Sequence, residues 1–225
     1  MYQLIGISKV LKAYALTTAF LAVALATNLW GYFPFLEQLH LNEISAAVVI
    51  VTGIAGILGE TPLFPVLCRW VPFFWHLFPC IEGEYTVEIA SNWALISRRN
   101  NPDSDLSDTT SNNEETLFKK AGKATIKARL LSIHIKLEMD DEYSTSHTVA
   151  CSVLPSANGA EPTLYYIYRN VSPVPKLTDS ESHFGAARIS VPRSRYPSTL
   201  KGTYWTDRNW HQGLNTAGQV RFQRT

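Results

Sequence analysis

Cysteine is scarce in this chain: Cys68, Cys80 and Cys151 are the only three in 225 residues, and none stands in a Cys-x-x-Cys pair. Without metal-type spacing or an even-numbered framework, zinc modules and disulfide scaffolds are excluded, and free thiols fit a reducing cytoplasm. Catalytic signatures are missing as well. There is no G-x-S-x-G, no H-E-x-x-H, no P-loop and no dinucleotide fingerprint. The six histidines (His40, His76, His134, His147, His183, His211) are scattered, so neither a metal centre nor a cofactor is expected. A binding module, not an enzyme, is the expectation.

Charge is absent from two long runs, Ala13 to Leu36 and Ile44 to Gly59. As a helix the first would measure about 36 Å, more than the roughly 30 Å of a bilayer's hydrocarbon core. The second gives only about 24 Å and must continue through Glu60 towards Leu67 to cross. The reading is a transmembrane hairpin over 1–69, with spans at about 13–36 and 44–67. Lys9 and Lys12 precede the first span, Arg69 follows the second, and the connector from Glu37 to Glu43 has acids but no Lys or Arg. That places the N-terminus and the C-terminal domain in the cytoplasm of a multi-pass inner-membrane protein. The rival is a secretory signal cleaved near Ala24-Leu25-Ala26, against which the apolar run continues to Phe33. Small residues at Ala15, Ala19, Ala22 and Ala26, and at Thr52, Ala55, Gly56 and Gly59, suit close helix packing, within one hairpin or between chains. Glu60 falls at the cytoplasmic end of the second span.

Residues 70–81 are read as an interfacial connector. The stretch from Leu63 to Ile81 is dense in aromatics, and its prolines argue against one continuous helix. From Gly83 the periodicity becomes two: Tyr85, Val87 and Ile89 alternate with Glu84, Thr86 and Glu88. Arg98 to Glu115 is a polar loop. Strands resume at Lys123 and recur to Phe222, about eight in all, with no helix among them. Regular strands of this length favour a sandwich or a small closed barrel, and the expected fold of 82–225 is an eight-stranded up-and-down, lipocalin-like β-barrel. Two Gly-x-Tyr triplets, Gly83-Glu84-Tyr85 and Gly202-Thr203-Tyr204, are expected to curve strands and plug the barrel floor.

From Arg188 onward seven basic residues face one acid, Asp207, a net charge of +6. Tyr196, Tyr204, Trp205 and Trp210 are interleaved with them. Arginine grips phosphates and aromatic faces stack bases, so a nucleotide suits this rim. A basic face against anionic lipid headgroups is the alternative.

The order of features resembles a known family. The hairpin is followed by Gly83-x-Tyr85, Ser144-x-Ser146, Leu164-x-Tyr166-x-Tyr168-x-Asn170, His183-x-Gly185, Leu200-x-Gly202-x-Tyr204-x-Thr206-x-Arg208 and Thr216-x-Gly218. This is similar to the CD-NTase-associated membrane effectors of bacterial CBASS anti-phage systems. The resemblance implies a barrel that binds a cyclic di- or oligonucleotide made by a partner CD-NTase nucleotidyltransferase. It further implies that binding drives self-association and that the spans then disrupt the lipid bilayer of the inner membrane. The loop from Arg98 to Glu115 is longer than the compact pattern of that family.

Side chains two apart on a strand share a face. Tyr166, Tyr168 and Asn170 are then the candidate ligand-binding residues of one strand, and Thr206 and Arg208 those of another, with Ser144 and Ser146 adding hydroxyls. If these faces point inward, Tyr168, Asn170, Thr206 and Arg208 lie towards the same open end. The alternative is that the tyrosines fill a core. The rival function is a membrane-anchored, lipocalin-like carrier or scaffold for an apolar ligand.

Overall fold

The computed structural model describes residues 7–26, 42–71, 79–100, 117–140, 144–155, 161–175 and 179–225. The chain divides into a helical unit, up to Leu67 with Arg129–Ser132, and a barrel unit, Cys68–Ala128 with Ile133–Thr225.

In the helical unit, α1 (Ile7–Ala26) and α2 (Glu43–Glu60) pack against each other. Leu25, Ala46 and Ala47 are buried between them, with Leu21, Ala22 and Ile50 packed around. The Tyr14 and Thr52 hydroxyls meet at 2.8 Å. Asn42 caps α2 by accepting the Ser45 N–H at 2.8 Å, which satisfies one of the orphan donors of the first turn. The contact face therefore uses Ala46 and Ala47. Of the small residues singled out in the sequence, Ala22 takes part, whereas Ala15, Ala19, Ala55 and Gly56 are exposed.

The expected transmembrane hairpin is not found. Among the described residues no helix is long and apolar enough to cross a membrane. Within the described residues α1 carries Lys9 and Lys12, and its described uncharged part, Ala13–Ala26, spans about 21 Å at 1.5 Å per residue. α2 carries a glutamate at each end and does not run on to Leu67: it ends before Thr61, whose N–H bonds the Ile57 carbonyl. A separate helix, α3 (Leu63–Trp70), follows, with Pro65 in its first turn, where a missing N–H costs little. The multi-pass inner-membrane placement drawn from the flanking charges falls with the spans. Residues 27–36 of the first expected span, most of the 37–43 connector, residues 72–78 of the aromatic stretch and the Glu60 side chain lie outside the described residues.

The barrel is present as expected. β1 (Gly83–Ser91), β2 (Phe118–Ala128), β3 (Ile133–Met139), β4 (Thr145–Leu154), β5 (Thr163–Val171), β6 (Ser182–Ser190), β7 (Thr199–Thr206) and β8 (Ala217–Arg224) pair antiparallel in sequence order. β8 returns to β1, with Val87 opposite Phe222, and closes the sheet. Closure removes both sheet edges. Contrary to the all-strand reading, a short helix, α4 (Trp93–Asn100), follows β1. The rest of the polar loop, 101–116, lies outside the described residues.

One end of the barrel is filled. Tyr85, Phe222, Ile126, Leu164, Ile189 and Leu200 are all buried there. Gly83, at φ +148°, enters β1 in a conformation that favours glycine, and a Cβ there would meet the Arg224 guanidinium at 2.8 Å. Tyr85 thus plugs the floor as anticipated. Tyr204, the second Gly-x-Tyr tyrosine, does not: it lines a cavity.

Candidate functional site

The open end encloses a cavity of about 230 Å³. β5 gives it one whole face, because residues two apart point inward together: Tyr166, Tyr168, Asn170 and then Ser172 all line it. The rings of Tyr166 and Tyr168 sit 5.6 Å apart, tilted by 42°. Room for the Tyr168 ring comes from Gly185, its cross-strand neighbour on β6. A Cβ at position 185 would stand 2.3 Å from that ring. This supplies a physical reason for the glycine in His183-x-Gly185.

All seven residues singled out in the sequence line this one cavity. Ser146 is buried on β4 and Ser144 precedes it. Thr206 ends β7, and its hydroxyl is engaged with Thr216: the two Oγ atoms meet at 3.0 Å and the Thr216 N–H donates to Thr206 Oγ1 at 3.0 Å. Thr206 therefore holds the ends of β7 and β8 together. Arg208 follows β7. Its Nε is 2.7 Å from Asp179 Oδ1, and its guanidinium lies 4.8 Å from the centre of the Trp93 ring. Asp179 is almost entirely buried, its side chain 3% exposed. The Ser180 N–H donates to the same Oδ1 at 2.9 Å.

The sequence reading missed several lining residues. Trp93 comes from α4, Lys120 from β2, and Ser172, Asp179 and His183 from the ends and connection of β5 and β6. Trp93 and Asp179 lie on a helix and a connection, where strand periodicity gives no signal, whereas Lys120, Ser172 and His183 continue the inward alternation of β2, β5 and β6. His183 and Tyr204 stood in quoted motifs but were assigned no place in the site.

Burial governs the ionisation of the lining. It pushes Tyr168 well above the ordinary tyrosine range, and Tyr166, Tyr204 and Asp207 add to the shift. Tyr166 is raised by burial, and Tyr204 is raised by burial against the opposing effects of Ser91, Thr216 and Arg208. All three phenols are protonated donors at neutral pH. His183 is lowered by burial; Arg208 adds to that effect while Asp179 and Asp207 oppose it. Its imidazole is neutral at pH 7. The site thus joins neutral aromatic and hydroxyl groups in depth to the cations Lys120 and Arg208. Such a pairing suits a ligand with flat apolar faces, hydrogen-bonding edges and negative charge. Among the described residues no group of His, Cys, Asp or Glu side chains is arranged to hold a metal ion.

Comparison with known proteins agrees with this geometry. The chain is 24% identical over 194 residues to CD-NTase-associated protein 15 of Escherichia albertii, covering 86% of each chain. The family described as Cap15, cyclic dinucleotide receptor domain, matches residues 105–224. That span holds β2 to β8 and every one of the seven candidate residues. With more than half of its length matched, the chain belongs to the Cap15 cyclic dinucleotide receptor domain family.

Proposed function

We propose that this chain is a sensor-effector of CBASS anti-phage defence whose barrel binds a cyclic dinucleotide made by a CD-NTase nucleotidyltransferase. The observation that carries the reading is the tyrosine-lined cavity with Arg208 and Lys120 beside it, in a chain of the cyclic dinucleotide receptor family. At about 230 Å³ the cavity falls below the roughly 300–1,000 Å³ of sites that enclose a drug-sized ligand. It takes part of a cyclic dinucleotide, and the remainder projects through the mouth. Ligand-driven self-association and membrane disruption complete the proposal. They draw support from apolar side chains that the helical unit leaves exposed, among them Leu16, Phe20, Val23 and Ile54.

The test is titration of the full chain with a panel of cyclic di- and oligonucleotides, followed by calorimetry and melting. Binding by at least one member is expected, and silence across the panel overturns the reading. A fatty acid added as a control addresses the apolar-carrier alternative. In Arg208→Ala, loss of charge-assisted hydrogen bonds worth about 1.5–3 kcal/mol should weaken binding by roughly 10- to 150-fold. Unchanged affinity in a folded variant removes Arg208 from the site. Sedimentation and dye release from vesicles, each with and without the bound nucleotide, test the later steps.

A further inference from the structure

Ser172 stands immediately after β5 and continues its inward face. It is 1% exposed and lines the cavity, yet its Oγ has no hydrogen-bond partner among the described residues. Its backbone is satisfied, since the N–H donates to the Glu181 carbonyl at 2.8 Å. A buried hydroxyl left unpaired carries a desolvation penalty, so such groups are rare in folded proteins and ask for a partner. Three other hydroxyls in this wall are partnered: Thr206 and Thr216 bond each other, and the Tyr204 hydroxyl has Ser91 and Thr216 as partners.

The surroundings of Ser172 indicate which part of a ligand it meets. Tyr166, Tyr168, Asn170 and Ser172 form one uncharged stripe: two aromatic rings, then an amide, then a hydroxyl. An amide and a hydroxyl can each donate and accept. A nucleobase edge presents donors and acceptors side by side, and its face stacks on aromatic rings. A phosphodiester presents acceptors alone and is matched by cations, which here come from other elements: Lys120 from β2 and Arg208 from beyond β7.

We propose that Ser172 is a specificity-determining residue that hydrogen-bonds the edge of a nucleobase, so that the β5 stripe selects which base enters the cavity. The proposal rests on the reading of the cavity as a cyclic dinucleotide site.

The experiment compares the wild-type full chain with Ser172→Ala against cyclic dinucleotides carrying adenine, guanine or uracil, at several salt concentrations. Removing the hydroxyl should weaken the preferred base about 10-fold and compress the difference between bases. The dependence of affinity on salt should not change, because no ion pair is lost. Melting should be unchanged or higher, since a buried unpaired group has been removed. Equal affinities in variant and wild type overturn the assignment. So does a uniform loss across all bases, or a shallower salt dependence, either of which places the hydroxyl on the ribose-phosphate ring. Absence of binding by the wild type overturns the cavity reading and this assignment with it.

Discussion

Both ends of the barrel are built around tyrosine and arginine, yet the pairs are committed differently. At the filled end the Arg224 guanidinium donates to the carbonyls of Cys80 at 2.6 Å, Glu82 at 2.8 Å and Pro197 at 3.3 Å, and to Tyr85 Oη at 2.7 Å. It also lies 5.0 Å from the Tyr85 ring centre. Tyr85 Oη–H donates a hydrogen bond to the Ile81 carbonyl at 2.8 Å, and burial pushes its pKa up to about 12 despite the nearby Arg224. Every partner is neutral and fixed to the fold. At the open end Arg208 faces a carboxylate, Asp179, and an aromatic ring, Trp93. Carboxylates and phosphates both pair with guanidinium, so under the proposed function a ligand phosphate would have to compete with Asp179. The same residue type is thus held by neutral groups at one end and by a carboxylate at the other.

The comparison is broken most severely at the filled end. Phe222 is fully buried and meets the Tyr85 ring edge-on at 6.2 Å. Phe222→Ala should cost about 3–5 kcal/mol, much of a small domain's stability. The measurement is the urea midpoint of the full chain, and the fraction that stays folded should keep its nucleotide affinity. Retained stability would show that this end is not the structural anchor.

Gly185→Ala sharpens the contrast at the open end. The new methyl would meet the far end of the Tyr168 ring. Because that ring borders a cavity, it can swing inward, so the stability cost should stay near the low end of the roughly 1–3 kcal/mol typical of overpacking. The displaced ring then fills ligand volume, and affinity should fall by at least about 10-fold. Combination with Tyr168→Ala should be non-additive in stability, as expected for touching residues. A large loss of stability with affinity intact would make the Tyr168 wall part of the packed core.

The smallest effect concerns pH. His183 has a folded pKa below its ordinary value. Between that value and the unfolded value near 6.5, the unfolded chain binds more protons, so stability rises with pH through this window. The contribution is fully present above about 6.5 and is lost as pH falls towards the folded pKa. His183→Gln should flatten the acid side of the melting-temperature profile below pH 6.5 and leave it unchanged at pH 8. Identical profiles would show that His183 does not feel the cavity's burial.

Alternation alone determined a good deal about this protein. Tyr85, Val87 and Ile89 alternate cleanly with Glu84, Thr86 and Glu88, and a strand with one buried face must put such residues on one side. About eight short strands with turns then favour a sandwich or a closed up-and-down barrel. In it β5 and β7 run alike, which sends Tyr168 and Arg208 to one end. Three things were decided only in the tertiary structure. The helices were one, because a run without charge does not state where a helix stops: α2 ends before Thr61 instead of running on to Leu67. β4 was another. Ser146 and Val153 are both buried although an odd step separates them, which strict alternation forbids. A bulge between Thr148 and Ala150 shifts the register there, and the Thr148 hydroxyl stands in for a strand partner by accepting from the Ile135 N–H at 2.9 Å and donating to the Ile135 carbonyl at 3.1 Å. Last are the groups that complete the cavity from outside the strands, Trp93 and Asp179. They come from a helix and a connection, where no period constrains which way a side chain points. Period-two order records which face of a strand is buried; only closure of the barrel records what that face meets.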